Sequence, residues 1–554
     1  MSLDDKNLST PDPLEEDNPF SAFEEVQKPK EGPSHKKGLF TLAASAWIGV
    51  WITAIAAVVL GGVVLWLTHT PSPTTDGTDG TTSTTIPTVE DAGITLLDKT
   101  NKNAVAITHV DVANGGGSYT LIFNTTEKKL QIKGYEDILV AKDIENTLIA
   151  YTTVITARNK IENAAELSAY GLDKPQAKAT ITYVDGTSST ITVGSSTPSK
   201  EGYYCLISGD NNVYIFNSDN VRLFMAQPVA YANTILLTTP MVKEDDANGS
   251  ALLKEISYSG KNHPTPLHIR RSNYTDSEEM TLFSYIIDKP YLRGTSDSVI
   301  GQLTAFKSLQ ATQALYLHPT AEQKKKLGFD DPLVVMNLTM AVETSEDDAP
   351  VDTSAGAEKK TYYNSYSATV TVGSMDSNSN YIVMVDGIDA IFLVENSALS
   401  AIADRTYTNS VNQLLFLKNI GQLGRISITI DGVRHDFMLT HYPEKENRDE
   451  KMVVTCNGKT YPTSDFRELY QQLMGLERYG TPSSEYNKNA TLKVDIYTTD
   501  GTHYLGATYY PLSGTLCAVE TTEGEIFTTR WHYVTHFVDQ VKNYLNGQPV
   551  LILT

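Results

Sequence analysis

The chain has 554 residues, 40% hydrophobic and 20% charged, with 44 basic and 66 acidic side chains and a net charge of −22. That mix excludes a wholly disordered chain and a multi-span membrane protein, and the length suggests three or four domains. Phosphate contacts need Lys and Arg, so the acidic balance argues against nucleic acid as a partner. Three cysteines exclude a disulfide-dense scaffold.

Residues 1–38 carry nine acidic and five basic side chains with few large apolar ones. Such a composition cannot bury a core and predicts a disordered tail. Its acidic residues serve either solvation or docking of a cytoplasmic partner. Residues 39–67 follow, from Leu39 to Leu67, without one charged side chain. About 20 apolar residues span a bilayer, and backbone groups in lipid must bond within the segment, so the run predicts a transmembrane helix. A cleaved signal peptide is the alternative. Its apolar region would be about half as long and would end near small residues, whereas this run exits through Trp66-Leu67-Thr68-His69. Lys28, Lys30, Lys36 and Lys37 precede the run and no Lys or Arg follows until Lys99. The positive-inside rule therefore predicts a single-pass cell-membrane protein with a cytoplasmic N-terminus and an extracytoplasmic C-terminal part of net charge −18.

Residues 68–93 are rich in Thr, Pro and Gly and read as a linker. As a flexible coil it would span on the order of 25–30 Å. Thr and Pro also suit a glycosylated stalk.

Beyond the linker the sequence predicts an α+β fold built of tandem repeats of antiparallel β-meanders with packed helices. Unit 1 covers residues 94–235, unit 2 residues 250–415, and a diverged unit 3 residues 420–554. The first copy reads Tyr170-Gly-Leu-Asp-Lys-Pro175, then Ile191-Thr-Val-Gly194, Gly202-Tyr-Tyr-Cys-Leu-Ile207 and Asn212-Val-Tyr-Ile-Phe216. The second reads Leu327-Gly-Phe-Asp-Asp-Pro332, Val370-Thr-Val-Gly373, Asn380-Tyr-Ile-Val-Met-Val385 and Ala390-Ile-Phe-Leu-Val394. Alternation at period two marks half-buried strands, and Asp185-Gly186 and Asp386-Gly387 mark hairpin turns. The glycine after Tyr170 or Leu327 predicts a left-handed helix cap, with Pro preventing continuation. Each copy is followed by a short helix, Asp219 to Met225 and Ser397 to Ala403, and by Tyr231/Asn233 or Tyr407/Asn409.

Helical spacing predicts helices over Lys142–Ile161, Val299–Ala314 and Ser464–Leu476, the last capped by Ser464. A closing helix is expected from Arg530 to Leu545. Met280 to Ile287 reads as a strand.

The pattern of helix, Gly-Leu-Asp-x-Pro, alternating strand, Asp-Gly and Val-Gly resembles bacterial domain-of-unknown-function family 4340. The likeness is closest at Tyr170 to Phe216 and is interrupted at Glu343 to Lys360 in the second copy. It is architectural only over 426–545. The resemblance implies a membrane-anchored extracytoplasmic protein of the type associated with ABC-type permeases and gliding-motility transporter components. The family supplies no catalytic residues to carry over.

Chemistry is sparsely signalled. There is no P-loop, no Gly-x-Ser-x-Gly elbow and no His-Glu-x-x-His. His532 and His536 share a helix face at i, i+4 and could meet one metal ion, but lack an intervening Glu and a third ligand. Two histidines on a partly exposed face is the plainer reading. Asp376, Asn378 and Asn380 have the spacing of a calcium loop without its glycine or closing Glu, so a polar turn is expected. Asn-x-Ser/Thr triplets at Asn124, Asn248, Asn273, Asn337 and Asn489 indicate loop or surface placement. Cys205, Cys456 and Cys517 read as buried free thiols, with a Cys456–Cys517 bridge as the alternative. The 30 tyrosines suit half-buried sheet faces, or a platform for carbohydrate or peptide.

No catalytic, cofactor-binding or metal residue is therefore nominated and no cofactor is expected. The sequence predicts a non-enzymatic membrane-anchored accessory or scaffold protein. Its partner would be an ABC-type permease or envelope component. An extracytoplasmic glycan- or peptide-binding protein is the alternative, and a cryptic metal-dependent enzyme a third reading.

Overall fold

The structure is a computed structural model that describes residues 93–552 apart from 101–104, 163, 165, 239–251, 274 and 344–362. The acidic tail, the apolar run Leu39–Leu67 and most of the linker lie outside the described residues. No helix among the described residues is long and apolar enough to cross a membrane.

The described chain is α+β and carries three large antiparallel sheets in sequence. In spatial order the first sheet runs Lys129–Ile132, Gly117–Asn124, Ile107–Asn114, Ala177–Tyr183, Ser188–Ser196, Gly202–Ile207, Val213–Asn217 and Asn159–Ile161. The second runs Arg293–Gly294, Tyr285–Lys289, Leu267–Arg271, Leu252–Ser259, Val334–Glu343, Tyr363–Met375, Tyr381–Val385, Ile388–Val394 and Gln313–Leu317. The third runs Lys459–Tyr461, Met452–Cys456, Val433–His441, Leu423–Ile430, Leu492–Thr498, His503–Pro511, Leu516–Thr521 and Ile526–Arg530. The path is shared in outline. Three hairpin-linked strands in the first sheet, and four in the second and third, come before a helix that crosses the face, and a four-strand meander then restarts beside the first strand.

Register makes the repeat exact at residue level. Ala177, Val193, Cys205 and Tyr214 form one cross-strand row in the first sheet. Val334, Val372, Val383 and Phe392 form it in the second, and Leu492, Tyr509, Val519 and Phe527 in the third. All twelve are buried, because a period-two strand puts alternate side chains on the core face.

The helices cover one face. Lys142–Thr153 and Ser218–Met225 serve the first sheet, Asp297–Ala305 and Asn396–Ala403 the second, Thr463–Met474 and Trp531–Leu545 the third. Three expected helices end early or start differently. Lys142–Thr153 stops before Val154–Ala157, a β-branched run that pairs with Ile94–Asp98. Asp297–Ala305 stops before Leu309–Gln310 and Gln313–Leu317, both strands. Thr463–Met474 is capped at Pro462, so Ser464 lies inside the helix. Thr463 Oγ1 donates instead to Met452 O at 2.8 Å. The strand expected from Met280 begins at Tyr285, after a helical turn Glu278–Thr281.

The repeated motif has a packing cause. Gly171 and Gly328 take φ of 69° and 86°, a backbone that favours glycine. A Cβ on Gly194 would fall on Tyr170 O, and one on Gly373 on Leu327 O. The Gly-x-Asp-x-Pro turn therefore lies directly on the Val-Gly strand in both copies. Tyr510 follows the row residue Tyr509 in the third sheet, where the first two have glycine. Tyr510 packs on Tyr486 with ring centroids 5.7 Å apart.

Candidate functional site at the seams between the sheets

Each sheet docks onto the next through the same backbone contacts. After the short helix and the Tyr-x-Asn turn, the chain runs alongside the segment that follows the long helix of the next unit. Ala311 N donates to Thr234 O at 2.8 Å, and Arg478 N donates to Gln413 O at 2.8 Å. The residue after each of these donors then bonds the last meander strand. Thr312 N donates to Leu393 O and Tyr479 N to Thr528 O, both 2.8 Å. Leu393 and Thr528 stand one residue beyond the row residues Phe392 and Phe527, so the two seams are equivalent.

The first seam is apolar. Ile235–Leu237 pairs with Leu309–Gln310, and one continuous buried core runs through both sheets, including Tyr231, Leu236, Leu309, Ala311 and Leu317. At its rim His318 Nε2 donates to Asp137 Oδ1 at 2.8 Å, and the His318 ring packs on Tyr135 at 4.9 Å.

The second seam is ionic. Glu525 is 1% exposed. Its Oε1 accepts from Arg478 Nε at 2.8 Å and from Tyr407 OH at 2.7 Å. Its Oε2 accepts from Arg478 Nη2 at 3.0 Å and from Arg293 Nε and Nη2 at 3.0 and 2.8 Å. Arg293 Nη2 also donates to Glu523 Oε2 at 2.6 Å, and Tyr291 OH to Gly524 O at 2.9 Å. Arg478 Nη1 holds the carbonyls of Asn412 and Leu414 at 3.0 and 2.8 Å. Further along, Lys418 Nζ donates to both oxygens of Glu279, at 3.2 and 3.0 Å, and Gln422 Nε2 to Glu278. Residues from the second sheet's edge, the connecting chain and the third sheet thus converge on one carboxylate.

The electrostatics balance. Burial raises the Glu525 carboxyl, but the hydrogen bond and charge of Arg478, with the charge of Arg293, outweigh it and hold the group below its ordinary range. Burial opposes the charge on Arg293, and Glu525 and Glu523 restore it and raise the guanidinium's pKa. Glu525 stands two residues before Phe527, and Ala390 two before Phe392. The ion pair Arg478–Glu525 therefore occupies the place of Ala311 and Ala390 in the second unit. Five donors saturate the carboxylate, so the chemistry available to it is orientation: it fixes the third sheet against the second.

Sequence reading did not find this site. Arg293 and Arg478 lie 232 and 47 residues from Glu525, and no short-range pattern joins them. The candidates that it weighed lie elsewhere. His536 Nε2 donates to Leu551 O at 2.9 Å, and the His532 ring packs on Tyr533 at 4.0 Å. Asp376 caps a tight turn. Its Oδ1 accepts from Asn378 N and Asn380 N at 2.8 and 2.9 Å, and the Asn380 backbone bond leads in lowering its carboxyl. No group of three His, Cys, Asp or Glu among the described residues is arranged to hold a metal ion. Cys205, Cys456 and Cys517 are free and buried, and burial pushes the Cys517 thiol up to about 12.

Residues 131–276 match the family model of a domain of unknown function (DUF4340). The match takes in the crossing helix and meander of the first sheet and reaches the first two strands of the second. It contains Tyr170 to Phe216, where the sequence likeness is closest. No curated protein and no solved structure matches the chain.

Proposed function

We propose that this chain is a membrane-anchored, extracytoplasmic, non-catalytic accessory or scaffold protein, serving an ABC-type transporter or a cell-envelope complex. The seam carries this reading. The same docking contact is used twice, once with an apolar filling and once with a saturated buried ion network, and it joins three sheets of one topology. A repeated geometry filled by different side chains is what a scaffold requires, since the product of the contact is orientation. The uncharged run Leu39–Leu67 supplies the anchor, and the lysines before it set the direction of insertion.

Crosslinking in native membranes followed by affinity capture of the full chain tests the proposal. Recovery of a permease or envelope protein at the same crosslinked mass in replicate captures is the expected result. Its absence, with the chain itself efficiently captured, counts against the scaffold reading.

A further inference from the structure

The helix crossing the first sheet differs in charge from its counterpart in the third at a core position of its first turn. Lys142–Thr153 and Thr463–Met474 each have 12 residues. Their fourth residues are Glu145 and Phe466, their seventh Leu148 and Leu469, their eleventh Thr152 and Leu473. All six are buried. Glu145 is 4% exposed where its counterpart Phe466 is 1% exposed. A carboxylate thus stands where a repeat of the same topology places a phenyl ring. Burying a charge is expensive unless donors meet it.

A cavity of about 570 Å³ lies against Glu145, within the size range of small-ligand sites. Its apolar wall is Val105, Phe123, Ile149, Ala150 and Val184, and its polar groups include Glu145, Lys128 and Lys142. Val184 is 53% exposed, a large apolar side chain left uncovered at this cavity. Glu145 Oε1 accepts from Lys142 Nζ at 2.6 Å, while Oε2 accepts from Leu130 N across a longer 3.3 Å. Lys142 is itself largely exposed at 71% and can turn toward a second anion.

We infer that this cleft binds a short peptide with apolar side chains. Its terminal ammonium is held by Glu145, its terminal carboxylate by Lys128 and Lys142, and its side chains lie against Phe123, Val105 and Val184. The charges decide the class. An apolar wall alone would suit a hydrocarbon. A buried carboxylate in a cavity that Lys128 and Lys142 also line suits a zwitterion, whose two ends meet both signs. This binding role is additional to the scaffold reading and stands or falls separately from it.

The test is calorimetric titration of the full chain in detergent micelles with the dipeptide Leu-Leu, its N-acetylated form and decanoate. Saturable binding of Leu-Leu is expected. Acetylation should weaken it at least tenfold, and so should Glu145→Gln, while acetyl-Leu-Leu should not distinguish Glu145→Gln from the parent. Glu145→Phe, which installs the third unit's residue, should abolish binding and leave the melting temperature unchanged or higher. Absence of saturable Leu-Leu binding by the parent, or binding by Glu145→Phe equal to it, overturns the inference. Decanoate binding with none of the peptide overturns it in favour of a simple anionic amphiphile.

Discussion

The buried carboxylate of Glu525 is the residue on which the second seam turns. Removing one partner from a buried ion network leaves the others desolvated and uncompensated, at roughly 3–5 kcal/mol. Glu525→Gln keeps the shape and removes the charge that faces two guanidiniums. It should lower the stability of the seam by about that amount, read from the denaturant midpoint. The acid response follows from the lowered carboxyl. A carboxyl depressed in the folded state stabilises fully above its unfolded value, about 4.3, and this contribution is lost as pH falls through the folded value. The stability gap between the parent and Glu525→Gln should stay constant from neutral pH to about 5 and shrink progressively as pH falls below the unfolded value. A gap that widened on acidification would contradict the assigned direction.

At the scale of elements, the glycines of the repeated motif report how turn and strand lock together. Gly194→Ala and Gly373→Ala place a methyl group inside contact distance of a backbone carbonyl oxygen, so the backbone itself must shift. Each should destabilise by about 1–3 kcal/mol, the usual cost of overpacking. Gly115, which faces open space, should accept Ala within about 0.5 kcal/mol. Comparing thermal melts of the three variants checks the contrast. These elements were readable because their signals are local: alternation gave the meander strands, and Asp-Gly gave their turns. Where local signals compete, sequence reading overran. Val154 to Ala157 continues a helical pattern from Lys142, yet pairing with Ile94–Asp98 decides its conformation. The contact of Gly-x-Asp-x-Pro with Val-Gly was invisible, although both halves were noticed, since neither half says which face it presents. Glu145 was overlooked for a related reason. It reads as an ordinary first-turn acid of a helix, and only the matching helix of the third unit shows that its position belongs to the core.

For the whole described molecule, the distribution of apolar contact sets the cooperativity. The first and second sheets share one buried core, whereas the third has its own, built around Phe437, Phe466, Tyr509 and Tyr544. A continuous core couples two sheets into one unfolding unit, because neither can open without exposing the other's apolar surface. The second seam couples the third sheet mainly through hydrogen-bonded charges, which give orientation more than cohesion. Calorimetry of the full chain should therefore show two unfolding transitions. Glu525→Gln should lower the transition of the third sheet and leave the other in place. Leu309→Ala, which opens the apolar seam, should lower the first pair's transition instead, by roughly 2–5 kcal/mol of stability. A single transition that moved as a whole with either variant would mean that the ionic seam transmits unfolding as strongly as the apolar one, and the two-core description would have to be abandoned.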